Sequence, residues 1–372
     1  MATSLAALDR LYAARDRLVG SPRFRSLAAR FPLTRPLVRR KASHAFDLAA
    51  GFVYSQVLLA VCRLGILDIL GERPQSVEVV ARRAGLTTDA AMRLLEAAVA
   101  LDLASERGPN RYGLGESGAA IAGDAGIRAM IEHHALFYND LADPVALLRG
   151  ETQPALRSYW AYARTADPAK LPDGAVAGYS ALMAASQTLI AEQVTAAYGF
   201  RAHRCLLDVG GGEGAFVAAV AKACPQLALQ LFDLPSVAAR AERALARLGL
   251  AHRVNVAGGD FTRDALPRGA DVVTLVRVLH DHDDDVASAL LRNVRRCVEP
   301  GATLVIAEPM PGTERAERVG AYFAMYLLAM GSGRLRDHDT VSRMLASAGF
   351  VGARRVPTNI PLQTSVIVAK AA

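Results

Sequence analysis

The chain has 372 residues, of which 52% are hydrophobic and 21% are charged. This length exceeds that of a usual single domain, so two domains are expected, and the composition excludes an intrinsically disordered protein. The four cysteines lie far apart, without a C-x-x-C pair, which favours unpaired thiols in a reducing compartment, the cytoplasm.

The net charge of +7 is concentrated at the N-terminus. Residues 1–41 contain nine Arg and one Lys against Asp9 and Asp16, a net charge of +8, so the other residues together carry −1. Leu, Phe and Val are interleaved with these bases. The segment 1–44, called the basic arm below, is therefore interpreted as a solvated or docking helix, or as an element that contacts an anionic surface of the inner membrane. The apolar run at 48–62 is too short to span a bilayer, and no secretory signal precedes it.

Residues 45–150 carry apolar residues at helical spacing and form the second predicted domain. VEVVARRAGL predicts a short helix that ends near Gly85, and TTDAAMRLLEAAVALDLA predicts a second helix capped by Thr87 or Thr88. SERGPNRYGLG predicts a small hairpin. This order is the winged-helix pattern of many DNA-binding proteins.

Charge argues against nucleic acid as the partner of this module. In the helix that would read DNA, Asp89 and Glu96 offset Arg93, whereas phosphate contacts require a positive surface. Docking or dimer formation is the favoured role.

After a helical linker and substrate-pocket segment at 151–200, the character of the chain changes. Over residues 201–372, strand-like runs (CLLDV, LALQLF, RVNVAG, DVVTLVRVL, TLVIAE) alternate with helical stretches, which predicts an α/β fold with a mostly parallel sheet. The runs ARRVPT and SVIVAKA are close enough to pair, and the last is expected to be an antiparallel edge strand.

The turn LLDVGGGEGAF satisfies the dinucleotide pattern G-x-G-x-x-[GA] through Gly210 and Gly212, which is a weak signal by itself. Asp208, two residues before the first glycine, repels a pyrophosphate but suits a ligand with an ammonium group. Asp233 ends the next strand, where a carboxylate can accept both ribose hydroxyls.

A third acid follows the strand RVNVAG, in the order Gly259, Asp260 and Phe261. Its carboxylate is expected to accept from an adenine amino group, with the Phe ring against the base. One cationic adenosine ligand satisfies all three acids, so S-adenosylmethionine is the predicted cofactor. The glycines let the backbone approach the ligand, and a helix N-terminus meets its carboxylate.

The motifs DVGGGEG, FDLP, GGDF, RVLHD and IAEPM, in this order after a winged-helix module, resemble the O-methyltransferases related to plant caffeate and animal acetylserotonin enzymes. The resemblance runs from about residue 45 to the C-terminus. It implies a Rossmann-like class I methyltransferase sheet with an antiparallel last strand, S-adenosylhomocysteine as a product, no metal, and a homodimer formed through the N-terminal helices.

The same resemblance implies that His280 is the general base, that Glu308 orients it, and that Arg277 contacts the cofactor. The plant enzymes have a second orienting Glu in a motif GGKERT. This chain has GSGRLR instead and places Arg334 there.

The residues also make an independent case for His280. Methyl transfer from a sulfonium needs an oxygen nucleophile whose proton leaves, and histidine is the usual base near neutral pH. The alternative is that His280 only caps the helix that starts in DHDDD. Asp281 and the three acids at 283–285 are interpreted as helix-start acids, because consecutive carboxylates do not converge on one cation.

The acceptor pocket is expected to be apolar. AYFAMYLLAM places Tyr322, Met325 and Tyr326 near one helical face, a stripe that forms either core or pocket wall. Few charged residues accompany them, so a hydrophobic small molecule is the predicted acceptor. Further wall candidates are Met130, His134, Phe137 and Trp160.

One bacterial subgroup is more closely similar. FPLTRPLVRRKASHAFDLAAGFVYSQVLLA, with EPMPGT and YFAMYLLAMGSGR, resembles the hydroxyneurosporene (demethylspheroidene) O-methyltransferases. This implies methylation of the tertiary 1-hydroxyl of acyclic carotenoids, and visits to the membrane where carotenoids reside. The alternatives are an O-methyltransferase of another hydrophobic phenol or polyketide, a C-methyltransferase of a chlorophyll precursor, and a non-catalytic cofactor-binding regulator, which the presence of both His280 and Glu308 disfavours.

Overall fold

The computed structural model describes residues 2–160, 173–313, 317–362 and 364–372, so that residues 161–172 of the predicted linker lie outside the described residues. Contacts divide the chain into two units, Met1–Ala119 and Ala120–Ala372.

The first unit is built from helices and a short hairpin. Its elements are α1 (Ala2–Gly20), α2 (Pro22–Arg30), α3 (Arg35–Arg63), α4 (Ile66–Glu72), α5 (Val77–Ala84), α6 (Thr88–Ala100), β1 (Ala104–Glu106) and β2 (Tyr112–Leu114).

The predicted winged-helix order is present in this unit. Helix α5 ends before Gly85, whose φ of 69° lies in the left-handed region that favours glycine. Thr87 caps α6, since its side chain accepts a hydrogen bond from the N–H of Ala90. The two strands pair in antiparallel fashion. On α6, Asp89 pairs with Arg93 at 2.8 Å, so this helix lacks the free positive charge of a DNA-reading helix.

The basic arm is helical, and α3 continues from it across residue 44 without a break. All of its Arg and Lys side chains are exposed, together with large apolar side chains such as Leu11 and Leu33, which are 71% and 83% exposed. Over an 18-residue window, α3 has a mean hydropathy of 1.7, and 11% of that window is buried. By length and composition alone α3 is long enough to cross a membrane, because the helix extends well beyond the apolar run at 48–62.

Helix α7 (Glu116–Ala122) leads into the second unit. The helices that follow are α8 (Ala125–Asp140), α9 (Pro144–Leu148), α10 (Ala155–Tyr159), α11 (Asp173–Ala197), α12 (Ala215–Ala223), α13 (Pro235–Arg247), α14 (Asp284–Cys297), α15 (Glu317–Met330) and α16 (His338–Ser347). The strands are β3 (Cys205–Val209), β4 (Ala228–Asp233), β5 (Val254–Gly258), β6 (Val272–Val276), β7 (Thr303–Glu308), β8 (Phe350–Val356) and β9 (Ser365–Ala371).

These strands form a single sheet in the order β5-β4-β3-β6-β7-β9-β8. Strands β3 to β7 are parallel, and β9 is antiparallel to both of its neighbours, which confirms the predicted sheet. The prediction that the last strand is an edge strand is wrong, since β9 lies between β7 and β8. The burial of the strands explains this order: β9 is buried at six of its seven positions, whereas β8 is exposed at four of its seven positions.

The functional residues lie at or near the carboxyl ends of the parallel strands. Both faces of the sheet are apolar: Leu207 and Leu275 are buried on one face, and Leu206 and Leu231 on the other. Buried parallel strands with helices on both faces bring their carboxyl ends to one edge of the sheet, where ligands bind in such folds. We therefore expect the side chains at this edge to be held rigidly.

Candidate active site

Between β3 and α12 the backbone makes a turn that leaves no room for a side chain at Gly210 or Gly211. Gly210 has a φ of 72°, and a Cβ added to it would lie 2.6 Å from Cγ2 of Val278. A Cβ on Gly211 would lie 2.8 Å from Leu231 and equally close to Oδ2 of Asp208. Glycine is therefore required here, and the bare backbone can approach a ligand closely.

Asp208 lies directly beneath this turn, in β3, and is only 1% exposed. The hydroxyl of Thr274, its neighbour in β6, donates to Oδ1 of Asp208 at 2.6 Å. The other oxygen, Oδ2, is buried and has no hydrogen-bond partner among the described residues. Burial raises the pKa of Asp208 to about 7; the Thr274 hydrogen bond opposes the rise and the Asp233 carboxylate adds to it. An unpartnered carboxylate oxygen in this position fits a ligand that brings a positive charge.

Asp233 ends β4 beside the same turn. Its carboxylate accepts from the backbone N–H groups of Gly212 and Leu234, both at 2.7 Å. Burial raises its pKa to about 6, although these two hydrogen bonds act in the opposite direction. The N–H of Gly259 donates to the backbone oxygen of Asp233 at 2.9 Å. The structure thus brings the predicted residues Gly212, Asp233 and Gly259 together.

Asp260 follows β5 and is buried. Its Oδ1 accepts from the backbone N–H and the hydroxyl of Thr262, at 2.8 and 2.6 Å. Its Oδ2 lies 3.7 Å from Nε of Arg263. One oxygen is therefore committed to the local turn, and the predicted contact with a ligand depends on Oδ2. The ring of Phe261 lies 5.2 Å from that of His282, at 80°.

Arg277 follows β6 in a strained backbone conformation. Its φ is 59°, which costs a non-glycine residue about 1–2 kcal/mol. The backbone N–H donates to the oxygen of Ala307 at 2.9 Å, and Nη1 donates to Oγ of Ser186 at 2.8 Å. Strain of this kind is concentrated at functional sites, where the surroundings hold the residue in place.

His280 lies on a 3₁₀ turn, Leu279–Asp281, and is 5% exposed. Its Nδ1 is hydrogen-bonded to Oε2 of Glu308, at the end of β7. The second oxygen of Glu308 accepts from the backbone N–H groups of Val278 and Leu279, at 3.0 and 2.7 Å. Because an ionised carboxylate only accepts hydrogen bonds, Nδ1 carries a proton, and Nε2 is the nitrogen that can act as a base once it has lost its own proton.

A second carboxylate faces the other side of the ring. Oδ1 of Asp281 lies 3.1 Å from Nε2 of His280, and Asp281 is buried. The interpretation of Asp281 as a helix-start acid is therefore wrong, because α14 begins only at Asp284 with Asp283 as its N-cap. Burial by itself lowers the pKa of His280, but Asp281 and Glu308 outweigh it, so that the pKa is raised above its ordinary value.

The segment GSGRLR does not supply a second orienting acid. The side chain of Arg334 is exposed, and its backbone N–H donates to the oxygen of His280 at 2.8 Å. In this protein Asp281 is the second carboxylate beside His280. Within the described residues, no group of three or more His, Cys, Asp and Glu side chains is arranged to hold a metal ion.

Aromatic side chains pack next to His280. The ring of Phe323 lies 5.6 Å from that of His280, edge-on at 87°. Tyr322 and Tyr326 are stacked with their centroids 5.6 Å apart. The cluster contains most of the predicted wall residues: Phe137, Trp160 and Tyr326 are buried in it, and Tyr322 and Met325 pack against it. Met130 is half-buried on α8 and lies outside this cluster.

Two histidines of α8 bind the tyrosines of this cluster. Nε2 of His133 lies 2.8 Å from the hydroxyl of Tyr326, and Nε2 of His134 lies 2.7 Å from that of Tyr322. Burial lowers the pKa of His133 to about 4, with a further contribution from His134. Burial also lowers the pKa of His134 and raises the pKa of both tyrosines. The polar groups in this cluster are therefore uncharged at neutral pH.

Comparison with protein families shows the class of enzyme to which the chain belongs. Residues 138–351 match the O-methyltransferase domain, and residues 46–122 match the O-methyltransferase dimerisation domain. The chain belongs to the O-methyltransferase family and is an S-adenosylmethionine-dependent enzyme. The second match supports the predicted homodimer, and membership of this family fits a cytoplasmic enzyme.

Individual relatives are similar over most of the chain. Demethylspheroidene O-methyltransferase of Cereibacter sphaeroides is 42% identical, over 95% of this chain and 93% of the relative. The enzyme of the same name from Rhodobacter capsulatus is 40% identical, over 95% of this chain and 88% of the relative. A solved structure, a methyltransferase of calicheamicin biosynthesis in its SAH-bound form, has a TM-score of 0.76 at 25% identity and covers 90% of this chain and 98% of that one. The predicted family and fold are confirmed.

Proposed function

We propose that this enzyme methylates the tertiary 1-hydroxyl of acyclic carotenoids such as 1-hydroxyneurosporene or demethylspheroidene, in spheroidene-type carotenoid biosynthesis. The observation that carries the proposal is the identity of 42% and 40%, over 95% of the chain, to two demethylspheroidene O-methyltransferases. The site agrees with it, since a histidine between two carboxylates lies beside a cluster of aromatic side chains.

His280 is the general base of this reaction. Nε2 would accept the proton of the acceptor hydroxyl as its oxygen displaces S-adenosylhomocysteine from the methyl group, so that the O–C bond forms while the S–C bond breaks, and Glu308 would stabilise the imidazolium. A tertiary alcohol holds its proton more tightly than a phenol, so the base needs to be strong. The Asp281 and Glu308 carboxylates raise the pKa of His280 and so supply that strength.

The residues at the strand ends hold the cofactor, which when bound supplies an electrophilic methyl group on a sulfonium. When the cofactor is bound, Asp208 would face its positive charge, Asp233 would accept from its ribose hydroxyls, and Asp260 with Phe261 would hold its adenine. Gly210, Gly212 and Gly259 leave space for the cofactor to approach the backbone, and Arg277 is a further proposed contact. Because positioning of two reactants supplies a larger factor than proton transfer, these contacts contribute most of the rate enhancement.

The acceptor lies along the aromatic cluster beside His280. The proposed wall consists of His134, Phe137, Trp160, Tyr322, Met325 and Tyr326, and Met130 on α8 is proposed as a further wall residue outside the cluster. An uncharged wall with a few hydroxyl and imidazole groups suits a long apolar molecule that carries one hydroxyl.

The test is a methyl-transfer assay with labelled S-adenosylmethionine, in which detergent-solubilised 1-hydroxy carotenoids are offered beside a panel of simple phenols. We expect label in the carotenoid as an ether, and its loss in His280→Ala. The matched control is His252→Ala, because His252 is exposed. Label in phenols alone would refute the carotenoid substrate, and label on carbon would indicate a C-methyltransferase.

We further propose that the basic arm binds the anionic surface of the membrane that contains the substrate. Its net charge of +8 and its exposed Leu and Phe side chains match the requirements of an interfacial helix. Each basic residue near such a surface contributes about 1 kcal/mol, and the attraction weakens with salt.

Sedimentation with vesicles tests this second proposal. The full-length protein is expected to bind phosphatidylglycerol vesicles and not phosphatidylcholine vesicles. The triple variant Arg10→Gln, Arg17→Gln, Arg25→Gln should bind less, while Arg247→Gln, Arg354→Gln, Arg355→Gln removes the same charge from exposed positions of the second unit and should bind normally. Equal loss in both variants would show that only net charge matters and would refute a role of the arm.

A further inference from the structure

The backbone of the turn that carries His280 has an unusual set of partners. Four consecutive carbonyl groups, from residue 279 to residue 282, accept hydrogen bonds from the segment at 332–336. This segment follows α15 and lies about fifty positions further along the chain. Its contacts therefore depend on the tertiary structure, and none of them is with the imidazole of His280.

Arg336 makes the largest share of these bonds. Its side chain is 3% exposed, and its Nη1 and Nη2 donate to the oxygens of Leu279 and His282, at 2.8 and 2.7 Å. Its Nε donates to Oδ1 of Asp284 at 2.8 Å, at the start of α14. The planar, forked guanidinium spans both ends of the turn, which a lysine ammonium cannot do.

The residues before Arg336 contact the middle of the turn. The N–H of Arg334 donates to the oxygen of His280 at 2.8 Å, and the hydroxyl of Ser332 donates to that of Asp281 at 3.1 Å. Gly333 has a φ of 91°, and a Cβ added to it would lie 2.4 Å from the oxygen of His280. No side chain larger than hydrogen fits at this position unless the turn moves.

We propose that Arg336 is a positioning residue, which with Ser332, Gly333 and Arg334 holds the turn so that Nε2 of His280 points at the acceptor hydroxyl. Glu308 fixes the ring from one side by binding Nδ1, and the 332–336 segment fixes the backbone to which the ring is attached. The inference rests on the proposed role of His280 as the base.

Misplacement of a reacting group by about 1 Å costs about 10²-fold in rate. In Arg336→Lys we therefore expect kcat to fall by about 10- to 100-fold, while the dissociation constant of S-adenosylmethionine changes by less than about threefold. The carboxylates proposed to hold the cofactor, Asp208, Asp233 and Asp260, lie in or directly after β3, β4 and β5, outside this turn. The same pattern is expected for Gly333→Ala, in which Arg336 is intact and the turn is displaced directly.

Arg295→Ala is the matched control. Arg295 also donates to backbone oxygens, those of Gly349, Val298 and Ala372, but it does so away from the catalytic turn. Its loss is expected to lower the Tm and to leave kcat unchanged at temperatures where the protein is folded. The substrate used is whichever acceptor the wild-type enzyme methylates.

Each outcome distinguishes the alternatives. A fall in kcat in Arg336→Lys and Gly333→Ala, with cofactor affinity retained and Arg295→Ala fully active, supports the inference. If kcat is unchanged in both variants while His280→Ala is inactive, the inference fails and the proposed base stands. If His280→Ala keeps its activity, the proposed function of His280 fails first. If Arg336→Lys does not fold, Gly333→Ala decides alone.

Discussion

Two buried histidines in the second unit have pKa values that are shifted in opposite directions. His280 is 5% exposed and His133 is 7% exposed, yet the pKa of His280 is raised and that of His133 is lowered to about 4. His280 lies between the carboxylates of Glu308 and Asp281, whereas the hydrogen-bond partner of His133 is the neutral hydroxyl of Tyr326.

Neighbouring carboxylates, and not burial, therefore distinguish the proposed base from the histidines of the pocket wall. Burial disfavours the charged form of both rings, and only nearby carboxylates reverse that effect. The same unit thus provides a strong base and, next to it, an uncharged surface for an apolar acceptor.

The largest effect is expected from Glu308→Gln. The Gln oxygen still accepts from the backbone N–H groups, but its amide donates to Nδ1, so the proton moves to Nε2 and the base is lost. We expect kcat to fall by about 10²- to 10⁴-fold. Steady-state kinetics measure this, with Glu299→Gln, an exposed glutamate, as the control. Activity near that of the wild type would rule out His280 as the base.

The cofactor side is tested by Thr274→Val, which removes the donor to Asp208 and keeps the shape of the side chain. At pH 7 the dissociation constant of S-adenosylmethionine is expected to rise about tenfold, as for the loss of one hydrogen bond to a charged group. Calorimetry gives this value, and Thr274→Ser should restore it. Thr303→Val, at a buried threonine of β7, is the control.

The pH dependence of cofactor affinity follows from the same carboxylates. Their pKa values of about 7 and about 6 mean that Asp208 and Asp233 protonate as the pH falls from 8 to 5. A protonated acid attracts the cation less, so affinity should rise with pH over this range. In Thr274→Val the rise should move to higher pH, because the hydrogen bond that lowers the pKa of Asp208 is lost. A profile unchanged by this variant would contradict the role of Asp208.

A moderate effect is expected from Asp281→Asn. In the wild type, kcat should rise with pH through an apparent pKa above 6.5, since His280 must lose its proton to act. Removal of the Asp281 charge lowers the pKa of His280, while Glu308 and Arg277 still act on it. The acid limb should therefore move to lower pH. Asp285→Asn, exposed in the same acidic run, should leave the profile unchanged.

The smallest effect on the reaction is expected from Tyr326→Phe. It leaves the buried ring nitrogen of His133 without its partner, and the free energy of unfolding should fall by about 1–3 kcal/mol. The acid limb of kcat should not move, because His280 is untouched. Tyr198→Phe removes the same kind of bond, to the half-buried His203, and should cost less stability. A shifted acid limb in Tyr326→Phe would show that the two histidines are coupled.

Much of the site followed from the order of the sequence alone. Asp208, Asp233, Asp260, Arg277 and Glu308 each lie in or next to the end of a predicted strand. Because parallel strands bring these ends to one edge of the sheet, local patterns sufficed to place them together. His280 was assigned from the resemblance of RVLHD to the family's motif and from the chemistry of histidine as a base near neutral pH.

Other features were decided only by the tertiary structure. Asp281 resembles its neighbours Asp283 and Asp284 in sequence. Its carboxylate lies beside His280 because Asp281 belongs to the 3₁₀ turn, whereas α14 begins only at Asp284. Thr274 reaches Asp208 through strand register, and Arg336 reaches the catalytic turn from about fifty positions away. Such contacts depend on which distant segments become neighbours in the folded chain, and local sequence patterns do not predict which segments these are. Local patterns therefore determined the fold class and the cofactor site, and the resemblance carried by the motifs gave the class of enzyme, while packing determined how its base is charged and held.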